Sequence, residues 1–490
     1  MEGYQKCESL ATPDVSEIVA VLQGWEQTQP GERDFQAFEL KIRKAVMALE
    51  LRVLSQGLAS MDVDCEQIQI GDQLFTKLEV ARVGTYFTLA GEISIRRHLY
   101  RPEGKGKPIC PMDIRAGVIE GAWTPRAAEI MAHSAAVMTP YEAEALLPKF
   151  GGLAPSRSSL DRLPKALSKR WEENRALWES AIRETEVVPI ATGIVVASLD
   201  GVTVPMKDGQ RAEKREEART QGKQTRGPAG YREAGCGVVS LFSDHQERLQ
   251  TFYYGRMPES KKVTLHEQLL AETSAILSTV PCPILVLMSD GALDNWRILN
   301  QVVESLREEG VLRPHDVVYR IADFFHASEH LKKATDLHFG ANSPKSYGAH
   351  ETLRRCLRDE DDGVETVVKR LLYYRNQATG KRRTKLSTQV EYFRSRAEQM
   401  RYTEFQRLGL PIGTGITEAA CKTLVTQRMK RSGMRWENPG GQAVLTLRSL
   451  LRSNRWDTGW QLLSDSYRPK IRNVTRKKHL SILTPLGKAA

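Results

Sequence analysis

Residues 283–290 have the sequence PILVLMSD, an almost uninterrupted apolar run that ends in an acid. Continuous apolar strands are typical of a sheet covered on both faces, because neither side of the strand is left to water. Asp290 stands at the carboxyl end of this predicted strand, where open α/β sheets carry their functional clefts. A buried carboxylate without a partner is costly, so Asp290 needs a cation or a metal nearby. The stretch therefore predicts an α/β fold with a polar site at one edge of its sheet.

The flanking sequence supports this fold class. Strand-like runs at 190–206, 234–243 and 249–255 come before a helix at 264–280, and another strand at 317–325 follows. This order predicts an α/β domain with a mixed sheet. The predicted divisions are a mainly helical N-terminal region with a β-hairpin (1–115), a helical region (116–186), the α/β domain (187–460) with an all-helical insertion at about 340–408, and a basic tail (461–490).

The N-terminal divisions predict helices and one hairpin. Residues 1–80 are expected to be mostly helical, and 35–59 space their apolar residues three and four apart. Residues 86–101 alternate apolar and polar residues around Gly91, which predicts a hairpin.

Residues 138–171 have the pattern helix, Gly-Gly turn, helix. A second helix that begins with serine and arginine suits phosphate contact or insertion into a DNA groove. Pro164 inside that helix argues against this, since a mid-helix proline kinks or ends a helix. A helix-turn-helix and an ordinary helical hairpin both stay open. The DNA-binding candidates here are Ser156, Arg157, Ser158 and Arg162.

The net charge of +11 is concentrated near the C-terminus. From Cys421 to Ala490 the chain has 15 Lys and Arg against three acids, so the other 420 residues sum to −1. Such a concentrated excess of basic residues indicates a polyanionic partner, for which nucleic acid is the first candidate. The alternative is a basic tail that is simply solvated. The candidate backbone contacts are Lys422, Arg428, Lys430, Arg431 and Arg435.

Three acids stand at comparable places in the predicted fold. Asp200 lies in the first apolar strand, Asp290 ends the buried strand, and Glu418 opens a helix for which Thr417 is a predicted N-cap. Taken singly, each acid is more easily explained as structural; Glu418 could merely stabilise the start of its helix through the helix dipole.

Taken in order, these acids belong to segments that resemble the DDE transposases of bacterial insertion sequences, most closely the Kra-type branch. The similar segments are SLDG (198–201), SDGALDNW (289–296), ADFFHASEHL (322–331), GTGITEAACKTLVTQRMKRSGMRW (413–436) and QAVLTLRSLLRSNRWDTGW (442–460). The resemblance implies an RNase H-like catalytic domain with the triad Asp200, Asp290 and Glu418. It also implies a signature matched by Asp323 and His326. Relatives often carry paired cysteines after the hairpin, where this chain has only Cys110, so a zinc site there is not expected.

This resemblance implies a transposase that cleaves and joins DNA at the ends of its own mobile element. Three carboxylates would hold Mg²⁺, or Mn²⁺ as a substitute, with Asp200 as the bridging ligand. His326 would lie near the scissile phosphate or simply begin its helix, and Trp296 would pack in the core or stack on a base. Partners would be the terminal inverted repeats, target DNA and a second copy of the chain, since two ends must be joined. A nuclease without strand transfer and a transposase-derived DNA-binding protein are the alternatives.

Other classes of protein are not expected. The longest apolar stretch is far shorter than the roughly 20 residues of a membrane span, and the first 30 residues lack a signal-peptide pattern. Seven scattered cysteines, never spaced C-x-x-C, fit a reducing compartment. The expected location is the bacterial cytoplasm, associated with the nucleoid.

Overall fold

A computed structural model describes residues 14–207, 216–222, 230–281, 283–413 and 415–474. The predicted basic tail (461–490) therefore lies outside the described residues from 475 onward. The strands are β1 Gln67–Ile70, β2 Gln73–Lys77, β3 Arg82–Phe87, β4 Glu92–Arg97, β5 Tyr100–Pro102, β6 Thr192–Pro205, β7 Tyr231–Ser243, β8 Arg248–Arg256, β9 Ile284–Ser289, β10 Val318–Ala322 and β11 Ile471–Val474.

The first group of helices is α1 Ser16–Gln27, α2 Phe35–Ala59, α3 Pro111–Ala116, α4 Pro125–Val137, α5 Pro140–Phe150, α6 Arg157–Thr185, α7 Val263–Thr279 and α8 Leu293–Glu308. The second group is α9 Phe324–Phe339, α10 Pro344–Asp359, α11 Gly363–Asn376, α12 Gly380–Arg394, α13 Tyr402–Arg407, α14 Gly415–Ala420, α15 Asn438–Arg452 and α16 Trp456–Asp465. Helix α14 continues as a π-helix over Cys421–Thr426 and a last α-helical turn over Gln427–Met429. No helix among the described residues is long and apolar enough to cross a membrane.

The chain divides into two compact units. Among the described residues, one contains 14–135, 139–166 and 460–474, and the other lies within 136–138 and 167–459. The larger unit holds a five-stranded sheet in the order β10-β9-β6-β7-β8. Strands β10, β9 and β6 pair in parallel, whereas β7 and β8 join antiparallel. The predicted mixed sheet and α/β class are confirmed.

Both faces of this sheet are covered, as the apolar sequence of β9 predicts. Leu285 and Leu287 pack in a core with residues of α7 and α8. Val286 and Met288, on the other face, pack in a core with α9 and the helices of the predicted insertion. Successive residues of a strand point to opposite faces, so a strand between two cores must be apolar throughout. The region 344–407 is largely helical, and its status as an insertion into the α/β domain stays a prediction.

The smaller unit contains the predicted hairpin, β3 and β4, which turns through Gly91 at φ +133°. The prediction of a mostly helical segment 1–80 is wrong at its end, because β1 and β2 occupy residues 67–77. The sequence of β1, QIQI, alternates polar and apolar residues, and Gly71 at φ +57° lies in the turn between β1 and β2. A sheet in the order β11-β1-β2-β5 results, in which β1 pairs antiparallel with β11.

Helix α6 extends over 29 residues with Pro164 in its interior. The helix therefore continues through Pro164, although a mid-helix proline favours a kink or an end. A helix-turn-helix made of α5 and α6 stays a prediction, and its second helix is much longer than the predicted segment required.

Candidate functional site

Asp200 and Asp290 lie level with each other at the point where the parallel pairing of β6 with β9 ends. Strands β6 and β9 pair in parallel with Leu199 opposite Ser289, so the acids that follow these two residues are level with each other. Asp290 follows the last residue of β9, and the carboxyl ends of parallel strands are where α/β folds bind ligands, whereas Asp200 lies inside β6, which continues to Pro205. The sequence predicted both acids, and the parallel pairing brings them together.

Burial and a neighbouring charge act on the carboxylate of Asp200. Burial has the largest effect and raises the pKa of Asp200 above its usual range, and the charge of Asp290 raises it further. Hydrogen bonds from the Gly201 backbone N–H (2.6 Å) and the Cys421 thiol (3.4 Å) oppose these effects in part. A bound cation would relieve the repulsion that Asp290 exerts on the charged form of Asp200.

Substitution of Asp200 by asparagine is expected to stabilise the free protein at neutral pH. A carboxylate whose pKa is raised on folding contributes stability below its ordinary pKa of 3.8 and loses that contribution as pH rises through the folded value. Asp200→Asn removes this loss, so its gain in the free energy of unfolding is greatest at neutral pH and shrinks toward pH 4. Urea denaturation across this range measures it. The same change at exposed Asp294 is the control, and a pH-independent difference for Asp200→Asn would contradict the prediction.

Two residues of the insertion region hold the loop that carries Asp290. The Arg396 guanidinium donates a 2.6 Å hydrogen bond to the Gly291 carbonyl, and the Tyr392 hydroxyl donates to the Asp290 carbonyl at 3.3 Å. Gly291 has φ +98°, and a Cβ there would lie 2.8 Å from Arg396 Nε, so glycine is required. Sequence reasoning missed Tyr392 and Arg396, because more than 100 residues separate them from Asp290 and no local pattern marks them.

The helix of Glu418 packs on the strand of Asp200. The prediction of Thr417 as N-cap is wrong: α14 begins at Gly415, and the buried Thr417 hydroxyl lies 2.6 Å from the Ser198 hydroxyl of β6. Thr417 thus bonds to the sheet rather than to free amides of its own helix. Cys421, on the next turn, contacts Asp200 through its thiol. No local pattern in the sequence marks the role of Cys421.

The carboxylate of Glu418 is exposed and makes no hydrogen bond or ion pair with another described residue. Within the described ranges, no group of three or more His, Cys, Asp or Glu side chains is arranged to hold a metal. The structure therefore brings Asp200 and Asp290 together, and brings the helix of Glu418 to Asp200, while a ligand role for Glu418 stays a prediction. Carboxylate oxygens are the donors that Mg²⁺ prefers, so the two aspartates fit part of such a site.

A buried arginine fixes the π-helical segment that follows α14. Arg448 is 4% exposed and donates to the carbonyls of Leu424 (2.8 Å), Thr423 and Ala136. Burial lowers the pKa of Arg448 to about 10. A π-helix leaves carbonyls without their usual partners, and this guanidinium supplies donors for two of them.

His326 lies in the first turn of α9. Asp323 caps this helix by accepting a 2.6 Å hydrogen bond from the His326 backbone N–H, so the sequence signature of these two residues has a structural role. The His326 ring lies 5.1 Å from that of His330. His330 stacks on Tyr392 at 3.7 Å, and burial lowers the pKa of His330 to about 4. A charge on His326 would lower the pKa of Asp200.

The predicted basic contacts after Glu418 divide into two groups. Lys422, Lys430, Arg431 and Arg435 are exposed. Arg428 is 3% exposed and lies 5.4 Å from the centre of the Trp436 ring, so the prediction of an accessible phosphate contact there is wrong. Its stem and guanidinium are used in packing, which a one-dimensional count of charges cannot reveal.

At the start of α6, Arg157 forms an ion pair with Glu144 (2.6 Å). Arg162 donates to the Ser158 carbonyl, and Ser156 and Ser158 share a hydrogen bond between their hydroxyls. A DNA contact by these residues stays a prediction. Trp296 is 7% exposed and packs in the core between the sheet, α7 and α8, as the core interpretation predicts.

No family model matches the chain, and no curated protein is significantly similar to it. Among solved structures, one similar chain is described as Drosophila P element transposase strand transfer complex. The match has a TM-score of 0.26 and 12% sequence identity, and covers 73% of this chain and 84% of the other. A TM-score this low supports no conclusion about fold or function.

Proposed function

We propose that the protein is a DNA transposase of the DDE type, with an RNase H-like catalytic domain, that cleaves and joins strands at the ends of its own mobile element. The observation that carries the proposal is the level placement of Asp200 and Asp290 on neighbouring parallel strands, where burial and mutual repulsion raise the pKa of Asp200. Resemblance of the surrounding segments to the Kra-type insertion-sequence enzymes supplies the reaction class.

Asp200 and Asp290 would hold Mg²⁺ or Mn²⁺, with Glu418 as a further ligand from α14. When bound, divalent ions stabilise charge on the attacking and leaving oxygens of phosphodiester displacement. The chain's own residues fix the geometry. Tyr392 and Arg396 hold the Asp290 loop, and the Thr417 and Cys421 contacts hold α14 against β6.

The exposed basic residues after α14 would bind the DNA backbone beside this site. Each phosphate contact releases counterions, so it adds about 0.9 to the slope of log affinity against log salt for duplex DNA. The double variant Lys430→Ala/Arg431→Ala is therefore expected to lower this slope by about 2 and to weaken binding to all sequences alike. Fluorescence anisotropy over a salt series measures both quantities.

The matched control is Arg401→Ala/Arg407→Ala, which removes the same charge from two exposed arginines that pair with Glu398 and Asp361. Equal slopes for the two double variants would mean that net charge alone matters and would contradict the proposed contact surface.

The function itself is tested with linear DNA that carries the segments flanking this gene, incubated with the full chain and Mg²⁺ or Mn²⁺. New 3′ ends are mapped on both strands. Metal-dependent breaks at two inverted ends, followed by their joining to other DNA, are the expected result. Cuts without joining would favour a nuclease, and binding without any cut, on DNA that includes both ends, would favour a DNA-binding protein derived from a transposase.

A further inference from the structure

Helix α2 has an outward face that no other described part of the chain covers. Its inner side packs on α1, where the Phe38 and Trp25 rings lie 4.5 Å apart, and on the hairpin, where Leu51 approaches Gly91. The apolar side chains on the outer side are exposed: Leu40 by 55%, Val46 by 46%, Val53 by 43% and Leu54 by 37%.

These outward residues form a stripe along the helix. At 3.6 residues per turn, positions 40, 43, 46, 47, 50, 53 and 54 fall within one continuous arc of about 140°. Residues 40, 47 and 54 are seven positions apart, and so are 46 and 53. A spacing of seven is typical of a helix surface that packs along another helix. Arg43 and Glu50 are the charged members of the stripe between 40 and 54, and Glu39 extends it one residue before Leu40; none of these three forms an ion pair with another described residue.

The stripe is complementary to itself when two copies run antiparallel. A two-fold axis between Val46 and Met47 sets Leu40 of one copy opposite Val53 of the other. The same axis sets Arg43 opposite Glu50, twice. In a parallel pairing Arg43 would face Arg43 and Glu50 would face Glu50, which is repulsive. Interfaces between identical chains about a two-fold axis must be self-complementary in this way.

We propose that this face of α2, defined by Leu40, Arg43, Val46, Met47, Glu50, Val53 and Leu54, binds the same face of a second copy of the chain in antiparallel orientation. The apolar members would leave water at the centre of the contact, and the two Arg43–Glu50 pairs would fix its register and direction. The inference concerns the smaller unit and does not depend on the reaction proposed for the larger one.

Sedimentation equilibrium of the full chain over a concentration series tests the proposal. The wild type is expected to form a reversible dimer. Arg43→Glu and Glu50→Arg each turn two attractive contacts into two repulsive ones, so each is expected to weaken the dimer by about tenfold. Lys44→Glu, which reverses a charge about 100° around the same helix, is the control and is expected to change little.

Mixing the two single variants gives the sharper result. Arg43→Glu in one copy and Glu50→Arg in the other restore both attractive pairs, so the mixture is expected to dimerise although each variant alone does so poorly. The double variant Arg43→Glu/Glu50→Arg is expected to dimerise like the wild type. A monomeric wild type, a dimer indifferent to both reversals, or no recovery in the mixture and the double variant would each overturn the proposal.

Discussion

The Asp290→Asn protein is expected to cleave DNA about a thousandfold more slowly than the wild type, a loss of about 4 kcal/mol of transition-state stabilisation, while it binds DNA equally well. Asparagine removes the negative charge and one anionic oxygen that would hold a metal. Its amide oxygen can still accept the hydrogen bonds that Asp290 Oδ1 receives from Ser289 and the Ala292 backbone. The loop is therefore expected to keep its shape.

The comparison variant is Asp294→Asn, four residues along the chain, whose exposed carboxylate pairs with Arg297 at the edge of hydrogen-bonding distance. It is expected to cleave within about twofold of the wild type. Cleavage is followed by mapping 3′ ends, and binding by anisotropy on the same DNA. If purified Asp290→Asn kept metal-dependent cleavage, the assignment of this aspartate would be refuted.

The largest expected loss of stability follows the change Arg455→Met. Arg455 is 6% exposed and donates to Glu186 (2.7 Å), Glu272 (2.8 Å) and the Tyr254 hydroxyl (2.9 Å). Its removal takes from Glu272, itself 1% exposed, the nearer of two cationic partners and leaves it Arg183 at 3.8 Å. Breaking a buried ion pair from one side costs about 3–5 kcal/mol. We expect a loss of that size in the free energy of unfolding, measured by urea denaturation.

Two further variants identify the cause. Arg297→Met breaks only the exposed pair with Asp294 and is expected to cost no more than about 1 kcal/mol. Adding Glu272→Gln to Arg455→Met removes the buried charge and is expected to recover part of the loss. A cost for Arg455→Met as small as that of Arg297→Met would show that the buried network contributes little.

Local sequence patterns predicted the elements whose structure depends on residues close together in the chain. The apolar run of β9 specified a strand covered on both faces, and the position of Asp290 at its end specified an edge site. The pairing of β1 with β11 could not be predicted, since about 400 residues separate two strands of four residues each. For the same reason the sequence did not predict the roles of Tyr392, Arg396 and Cys421, since only the folded chain brings them to the aspartates.

The patterns of charge and of helix starts indicated which segments are basic or helical, but they did not predict the contacts of individual residues. The basic excess after Glu418 was visible in the sequence, yet burial of Arg428 beside Trp436 depends on the turn between α14 and α15. Thr417 has the residue type of an N-cap, and its partner Ser198 became apparent only once α14 and β6 were in contact.

The antiparallel pairing of β1 with β11 has a consequence for synthesis on the ribosome. All of 167–459 has been made before residues 471–474 leave the ribosome, so the larger unit can complete its fold while the smaller one still lacks a strand. During that interval β1 has one row of backbone amides and carbonyls without partners, an edge that other chains could join. Residues 471–474 thus protect the edge of β1, which is made about 400 residues earlier. Premature termination before them would leave that edge open permanently.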